Sequence, residues 1–103
     1  MDIERLRSQV TSGEKPLRIT THAQVEAAKD GVLLADLRFV FEKGRGIEEY
    51  PEEQRILLYA DTPTDKIPAH IVVEDTKAEG VIVTAYVPDP AIWIANVRHR
   101  RKG

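Results

Sequence analysis

Four side chains suited to acid–base, phosphate or stacking chemistry occur in three segments of the chain that have the composition of strands. Arg55 and Tyr59 lie in residues 55–60, His70 begins the segment 70–75, and Tyr86 lies in residues 81–87. A histidine exchanges protons near neutral pH, an arginine holds a phosphate, and tyrosines stack on bases or orient oxygen atoms. If these segments are neighbouring strands, the four side chains share a surface that fits phosphate and nucleotide chemistry.

The alternation of side chains along a strand decides which residues share that surface. Turning Ile56, Leu58, Ile71 and Val73, together with residues 81, 83 and 85, toward the helices sends their neighbours to the opposite face. That face is predicted to carry Arg55, Leu57, Tyr59, His70, Val72, Glu74, Ile82, Thr84 and Tyr86. The same residues equally fit the solvated face of a half-exposed antiparallel sheet, so both interpretations remain open here.

Two further groups of side chains bear on chemistry. His22 and Glu26 lie one helical turn apart, which fits a proton-transfer or metal pair, but the pair lacks the third ligand that zinc requires, and His22 equally fits a structural role. Residues 98–102 carry four basic side chains and no acid, which fits contacts to a nucleic-acid backbone or a solvated chain end. Because the sequence has no glycine-rich phosphate loop and no metal motif, we predict neither a metal nor a cofactor.

Three helices are predicted before the strands begin. The first covers residues 2–12, where apolar residues recur at helical spacing. The second starts at a Thr21-x-x-Gln24 capping box and ends near Gly31, and the third ends before Gly44. From residue 47 the apolar pattern repeats every two residues, which predicts a weak strand at 47–50 and stronger strands at 55–60, 70–75 and 81–87.

The connections between these strands are short, which is typical of antiparallel neighbours. Pro88 and Pro90 end the last strand, and residues 92–97 are predicted to begin a closing helix. The predicted fold class is therefore α+β, with N-terminal helices on one face of a three- to four-stranded antiparallel sheet and a short C-terminal helix.

Composition limits the functional classes. The chain has 103 residues, 42% of them apolar and 31% charged, which predicts a single globular domain over residues 1–103, with residues 1–17 as an N-terminal extension helix. The absence of cysteine excludes disulfides, thiol nucleophiles and zinc–thiolate sites. No export signal and no run of about 20 apolar residues is present, so we expect a cytoplasmic protein without a membrane partner.

The net charge of −2 hides an asymmetry between the body and the tail. Four of the fifteen basic side chains lie in residues 98–102, which leaves eleven basic side chains against seventeen acidic ones in the remainder. Acidic residues also cluster at Glu48, Glu49, Glu52 and Glu53. A polyanion is therefore expected to approach from another side of the molecule.

Several segments together resemble the bacterial domain-of-unknown-function family number 4258. They are Thr21-His22-Ala23, Gly31-Val32, Ile47-Glu48-Glu49-Tyr50, His70-Ile71-Val72-Val73, and residues 83–90 followed by Trp93. The resemblance covers about residues 18–101, which form the family-like core. The sequence departs from the family pattern at Leu33, which occupies the usually polar cap position before the third helix. The family is similar in layout to RelE-like and BrnT-like toxins, and its members are commonly paired with a small zinc-finger-type antitoxin. RelE-like nucleases are typically strongly basic, unlike the body of this chain.

The resemblance implies a toxin of a type II toxin–antitoxin pair that acts as a metal-independent endoribonuclease. In such a reaction the RNA 2′-hydroxyl attacks the adjacent phosphate and leaves a cyclic phosphate and a free 5′-hydroxyl. The hypothesis assigns catalysis to four residues. His70 acts as general acid or base, and Arg55 offsets the charge of the phosphate. Tyr86 orients the nucleophile or the leaving oxygen, and His22 acts as a second proton carrier. RNA binding is assigned to Tyr59, Arg98, Arg100 and Arg101.

The alternative hypothesis is a non-enzymatic protein-binding module. Its acidic edge and exposed sheet surface would recruit a protein partner, and His22 and His70 would only form structural hydrogen bonds. The partners expected under the first hypothesis are RNA and a small antitoxin protein. A homodimer is compatible with the sequence under either hypothesis.

Overall fold

A computed structural model describes residues 1–99 of the chain. Within these residues the helices and strands are α1 Ile3–Thr11, β1 Leu17–Ile19, α2 Thr21–Lys29, α3 Leu34–Lys43, β2 Arg45–Tyr50, β3 Arg55–Asp61, β4 Pro68–Asp75, β5 Gly80–Tyr86, β6 Trp93–Ile94 and β7 Arg98–His99. A short 3₁₀ turn, Pro51–Glu53, joins β2 to β3. No helix among residues 1–99 is long and apolar enough to cross a membrane.

Strands β1 to β5 form one sheet in the order β1-β5-β4-β3-β2, and β6 pairs with β7 in a separate hairpin. The neighbours from β2 to β5 are antiparallel, as predicted, but β1 runs parallel to β5. The α+β class is confirmed, whereas the sheet is mixed and has five strands. β1 escaped the sequence analysis because a strand of three residues is too short to display an alternating pattern.

The predicted C-terminal helix is wrong. Residues 93–99 form a hairpin in which Trp93 pairs with His99 and Ile94 with Arg98. Ala95 and Asn96 at its turn have φ angles of 51° and 62°, which reverse the chain as tight hairpin turns do and which a right-handed helix cannot contain. A helical pattern of only six residues is also too short to be stable without tertiary packing.

The three helices cover one side of the sheet, which we call the helix face. The residues buried together there include Ala23, Ala27, Leu37, Val40, Phe41, Ile56, Leu58, Ile71, Val73, Ile82 and Ala85. All of these side chains are apolar, so the helix face is held by hydrophobic packing.

Helix α1, which lies within the predicted extension of residues 1–17, packs into this core. Its Leu6 is fully buried. Arg7 donates from Nε to the Phe41 carbonyl at 2.7 Å and from Nη2 to the Gly44 carbonyl at 2.5 Å. These bonds occupy carbonyls at the end of α3, which would otherwise lack partners, and they fix α1 to α3.

The cap of α2 lies one residue before the predicted one. Thr20, not Thr21, is the N-cap, and its hydroxyl accepts from the Ala23 amide at 3.0 Å. The same hydroxyl donates to the Val83 carbonyl of β5 at 2.9 Å, so the cap is selected by the neighbouring strand as well as by the helix. Gln24 donates from Nε2 to the Ile19 carbonyl rather than closing a capping box.

The other side of the sheet, which we call the open face, follows the predicted alternation on β3 and β4 but not on all of β5. Val72 pairs with Thr84 and Val73 with Ile82, so Val83 is an extra residue at a bulge. Ile82 consequently packs in the core, and Val81 lies opposite Glu74 on the open face. The prediction that Ile82 lies on the open face and Val81 on the helix face is therefore wrong. Residues 81–85 all tolerate burial, so their sequence gives no sign of a bulge.

Candidate functional site

One register row of the sheet carries the chemistry. Arg45 of β2 lies opposite Tyr59 of β3, Tyr59 opposite His70 of β4, and His70 opposite Tyr86 of β5. Cross-strand partners project from the same side of a sheet, so these four side chains form a line across the open face, which we call the row. The structure thus brings together three of the predicted site residues, Tyr59, His70 and Tyr86.

His70 lies at the centre of the row with both ring nitrogens in hydrogen bonds. Nε2 lies 2.5 Å from the Asn96 carbonyl oxygen, and Nδ1 lies 3.3 Å from the Tyr86 hydroxyl oxygen. A carbonyl only accepts, so Nε2 carries the proton and donates, and the Nδ1 of a neutral ring accepts from Tyr86. His70 is held as the neutral Nε2–H tautomer.

Burial reinforces that protonation state. The His70 side chain is fully buried, and desolvation lowers its pKa below the ordinary value, although the Asn96 carbonyl and the charge of Glu48 act in the opposite direction. Both nitrogens are occupied and the ring is inaccessible to solvent. In this arrangement His70 has no free nitrogen to offer a substrate.

The tyrosines of the row are also protonated. Burial, followed by the Tyr50 and Glu48 groups nearby, raises the pKa of Tyr86 to about 12. Burial and the hydrogen bond to the Asp61 carboxylate, at 3.0 Å, raise the pKa of Tyr59. Each hydroxyl is therefore a proton donor and not a phenolate at neutral pH.

The hairpin of residues 93–99, which we call the cover hairpin, closes the row from above. The Trp93 ring lies edge-on to His70 with 4.6 Å between centroids, and Trp93 is only 8% exposed. His99 also packs edge-on to Trp93, with 5.1 Å between ring centroids. Trp93 therefore acts as a lid over the open face and not over the helix core.

Two predicted catalytic residues lie away from the row. Arg55 is four residues from Tyr59 along β3, about 13 Å at the rise of a strand. Its Nε donates to Glu74 at 2.7 Å and its Nη1 lies 3.6 Å from Glu53, so its charge is already paired. His22 lies exposed on α2, on the helix side of the sheet. Neither residue meets His70.

The predicted RNA-binding arginines are placed only in part. Arg98 is exposed on β7 opposite Ile94, on the side of the hairpin away from the Trp93 lid. Arg100 and Arg101 lie outside the described residues. The structure of residues 1–99 therefore gives Arg98 as a surface cation above the hairpin and not as a member of the row.

Arg45 is the residue that the sequence analysis missed. Its guanidinium carbon lies 5.9 Å from the Tyr59 ring centroid, and its side chain is exposed at the edge of the sheet. The register shift between Gly46 and Glu48 reverses the alternation of side chains along β2. A regular alternation that starts from Glu48 on the open face would therefore place Arg45 on the helix face, where it does not lie. Its position between two glycines was the one available signal for an irregular strand.

The acidic residues form a separate feature at the sheet edge. Tyr50, Pro51, Glu52 and Glu53 line an open cleft of about 260 Å³ next to the end of β2. Tyr50 donates to Glu48 at 3.2 Å, and burial followed by the Glu48 charge raises the pKa of Tyr50. Among residues 1–99, no cluster of three or more acidic or histidine side chains has the arrangement of a metal site.

The comparisons with known proteins identify one relationship. The sequence model of a family described as "Domain of unknown function (DUF4258)" matches residues 19–87, which include the last residue of β1, helices α2 and α3, and all four residues of the row. No curated protein and no solved structure matches the chain. The matched segment ends at Val87, before the cover hairpin begins.

Proposed function

This chain belongs to the DUF4258 family, and we propose that its row is the site of a metal-independent endoribonuclease of the toxin type. The observation that carries the proposal is the register of Arg45, Tyr59, His70 and Tyr86, which aligns a cation, a proton carrier and two aromatic hydroxyls on one face. Arg45 replaces Arg55 as the group that offsets phosphate charge.

The proposed reaction requires the cover hairpin to move first. Lifting it frees Nε2 of His70 and removes the burial that lowers the His70 pKa, so that the pKa returns toward the ordinary value of 6.5. A histidine with a pKa near the ambient pH is the most effective proton carrier. The closed structure is thus a resting arrangement in this proposal.

The proton transfers balance within the row. Once the hairpin is lifted, exchange with water moves the ring proton of His70 from Nε2 to Nδ1. The free Nε2 then takes the proton of the 2′-hydroxyl as its oxygen attacks phosphorus. The bond from phosphorus to the 5′-oxygen breaks, and Tyr86 gives that oxygen its hydroxyl proton. The Nδ1 proton of His70 then returns to Tyr86 along the contact that already joins them at 3.3 Å. Arg45 stabilises the charge that develops on the phosphate.

Analysis of RNA ends tests the proposal. Purified protein is incubated with mixed RNA in the presence of a chelator, and products are examined for 2′,3′-cyclic phosphate and 5′-hydroxyl ends. Cleavage that falls at least about tenfold in Arg45→Ala is expected, from loss of one charge contact in the transition state. Arg18→Ala is the matched control because Arg18 is an exposed cation at the far end of the sheet, paired with Glu79.

His70→Gln separates chemistry from contamination. The amide retains a donor for the Asn96 carbonyl but cannot carry a proton, so cleavage should disappear while the fold persists. Cleavage that persists unchanged in His70→Gln and Arg45→Ala would refute the assignment of the site.

We propose a protein-binding module as the second candidate function, with a small protein partner at the acidic cleft. Both ring nitrogens of His70 are in hydrogen bonds, which suits a structural histidine and so favours a binding module over an enzyme. The acidic cleft lies at an edge of the sheet, where no strand pairs with the outer side of β2 among residues 1–99. Its test is co-purification with the product of a neighbouring small gene. Glu52→Lys should abolish that association, whereas Glu26→Lys on α2 should not.

A further inference from the structure

The cover hairpin places two chemical groups on the row that resemble parts of a nucleotide. The first is the indole of Trp93, a flat fused bicyclic ring that lies edge-on to His70. The Tyr59 and Tyr86 rings lie edge-on to the same imidazole at 5.6 Å and 5.2 Å. The second is the Asn96 carbonyl oxygen, which accepts the Nε2 proton of His70.

A purine is also a flat fused bicyclic ring, and a nucleotide presents oxygen acceptors on its base, sugar and phosphate. An aromatic slot suits such a ligand because edge-to-face contacts between flat rings are favourable. Nε2 of His70 at the base of the slot forms a hydrogen bond with a ligand oxygen, as a donor in one neutral tautomer and as the acceptor of a hydroxyl proton in the other. Arg45 at the outer end of the row adds the positive charge that a phosphate requires.

The hairpin also has little stability of its own. Its strands have two residues each, and its turn holds Ala95 at a φ of 51°, a conformation that costs a residue with a Cβ. The family match contains the row but ends before the hairpin, so the slot and its cover are separate parts of the sequence. Short two-stranded hairpins are marginally stable without packing.

We propose that the cover hairpin is an internal competitor that occupies, in the closed structure, the slot for a purine nucleotide of single-stranded RNA. The inference rests on the proposed function and deepens it by naming the substrate class and the element that restrains the site. RNA binding and closure of the hairpin are then mutually exclusive, so weakening the hairpin strengthens RNA binding by the shift in population.

Binding of an uncleavable oligonucleotide separates this competition from catalysis. The probe is a fluorescein-labelled 2′-O-methyl oligoadenylate, with the matching oligocytidylate as the comparison. Trp93→Ala should bind the oligoadenylate about fivefold or more tightly than the wild-type protein. Ala95→Gly, which relieves the strained turn and favours closure, should bind it about two- to threefold more weakly.

The wild-type protein carries its own reporter, since Trp93 is the single tryptophan of the chain. Saturating oligoadenylate should increase quenching of its fluorescence by iodide, because the displaced indole becomes accessible. Thermal melting checks that both variants remain folded. If Trp93→Ala does not fold, Ala95→Gly still tests the competition.

The outcomes distinguish this inference from the proposed function. Wild-type binding with no gain in Trp93→Ala and no loss in Ala95→Gly overturns the competition and leaves the nuclease proposal intact. Equal binding of oligocytidylate overturns the purine assignment. Competition without any cleavage of ordinary RNA supports the proposed role of the cover hairpin and refutes the nuclease proposal. Absence of binding by all three proteins overturns both proposals.

Discussion

The two faces of the sheet are held by different physical forces. On the helix face, three helices bury a cluster of apolar side chains, with Phe41 and Leu37 packed together with Ile71. On the open face, His70 is equally buried but is fixed by hydrogen bonds to Tyr86 and Asn96. Apolar packing tolerates exchange of one apolar side chain for another of similar volume, whereas the row needs polar atoms at defined positions.

Cavity formation on the helix face should produce the largest effect. Phe41 is 1% exposed, and Phe41→Ala is expected to lower the free energy of unfolding by about 3–5 kcal/mol, through lost burial and an unfilled cavity. Urea denaturation measures the change. Val25→Ala is the control on a neighbouring helix, since Val25 is 49% exposed and should shift stability by no more than about 0.5 kcal/mol. A cost below about 1 kcal/mol for Phe41→Ala would contradict the packing described for this face.

Removal of the histidine should be less costly and local to the open face. His70→Ala is expected to lower the free energy of unfolding by about 1–3 kcal/mol because the Tyr86 hydroxyl and the Asn96 carbonyl lose their partner. Trp93 fluorescence should shift to longer wavelength as the cover hairpin loosens. The exposed His22 supplies the control, and His22→Ala should leave the Trp93 spectrum unchanged.

The pH dependence of stability should differ between the faces. Burial lowers the folded-state pKa of His70, so the unfolded chain binds a proton at a higher pH than the folded chain does. The stability from neutral His70 is fully present above the unfolded pKa of 6.5 and is lost as pH falls through the lowered folded pKa. Unfolding free energies between about pH 7.5 and pH 5 should therefore decline more steeply for the wild-type protein than for His70→Gln. Equal slopes would mean that His70 is not held neutral by burial.

The smallest effect is expected at the uncovered end of the open face. Arg18 and Glu79 form an ion pair at 2.8 Å, with side chains 55% and 26% exposed. Arg18→Ala should change stability by less than about 1 kcal/mol, and the change should vanish at high salt. A larger, salt-insensitive loss would show that polar contacts on this face are strong even without the cover hairpin.

The sequence was informative wherever hydrophobicity alone decides the structure. The alternation on β3 and β4 correctly turned four side chains toward the helix face: Ile56, Leu58, Ile71 and Val73. Because β3 and β4 pair without a register shift, the same alternation placed Tyr59 and His70 on the open face.

The remaining features depend on backbone irregularities that leave no periodic trace. The bulges at Val83 and Ile47 shift β5 and β2 by one residue, which misplaced Ile82 and concealed Arg45. The cover hairpin depends on positive φ angles at Ala95 and Asn96, and alanine gives no indication of such a conformation. The position of Asn96 over His70 involves its backbone oxygen, which any residue carries, so side-chain identity did not indicate it.

Backbone amide chemical shifts recorded while the 2′-O-methyl oligoadenylate is titrated test most directly that the open face is the working face. We predict shifts concentrated at Arg45, Tyr59, His70 and Tyr86 and along the cover hairpin, with α2 and α3 unaffected. Shifts confined to α2 and α3, or no shifts at saturating oligonucleotide, would contradict the account.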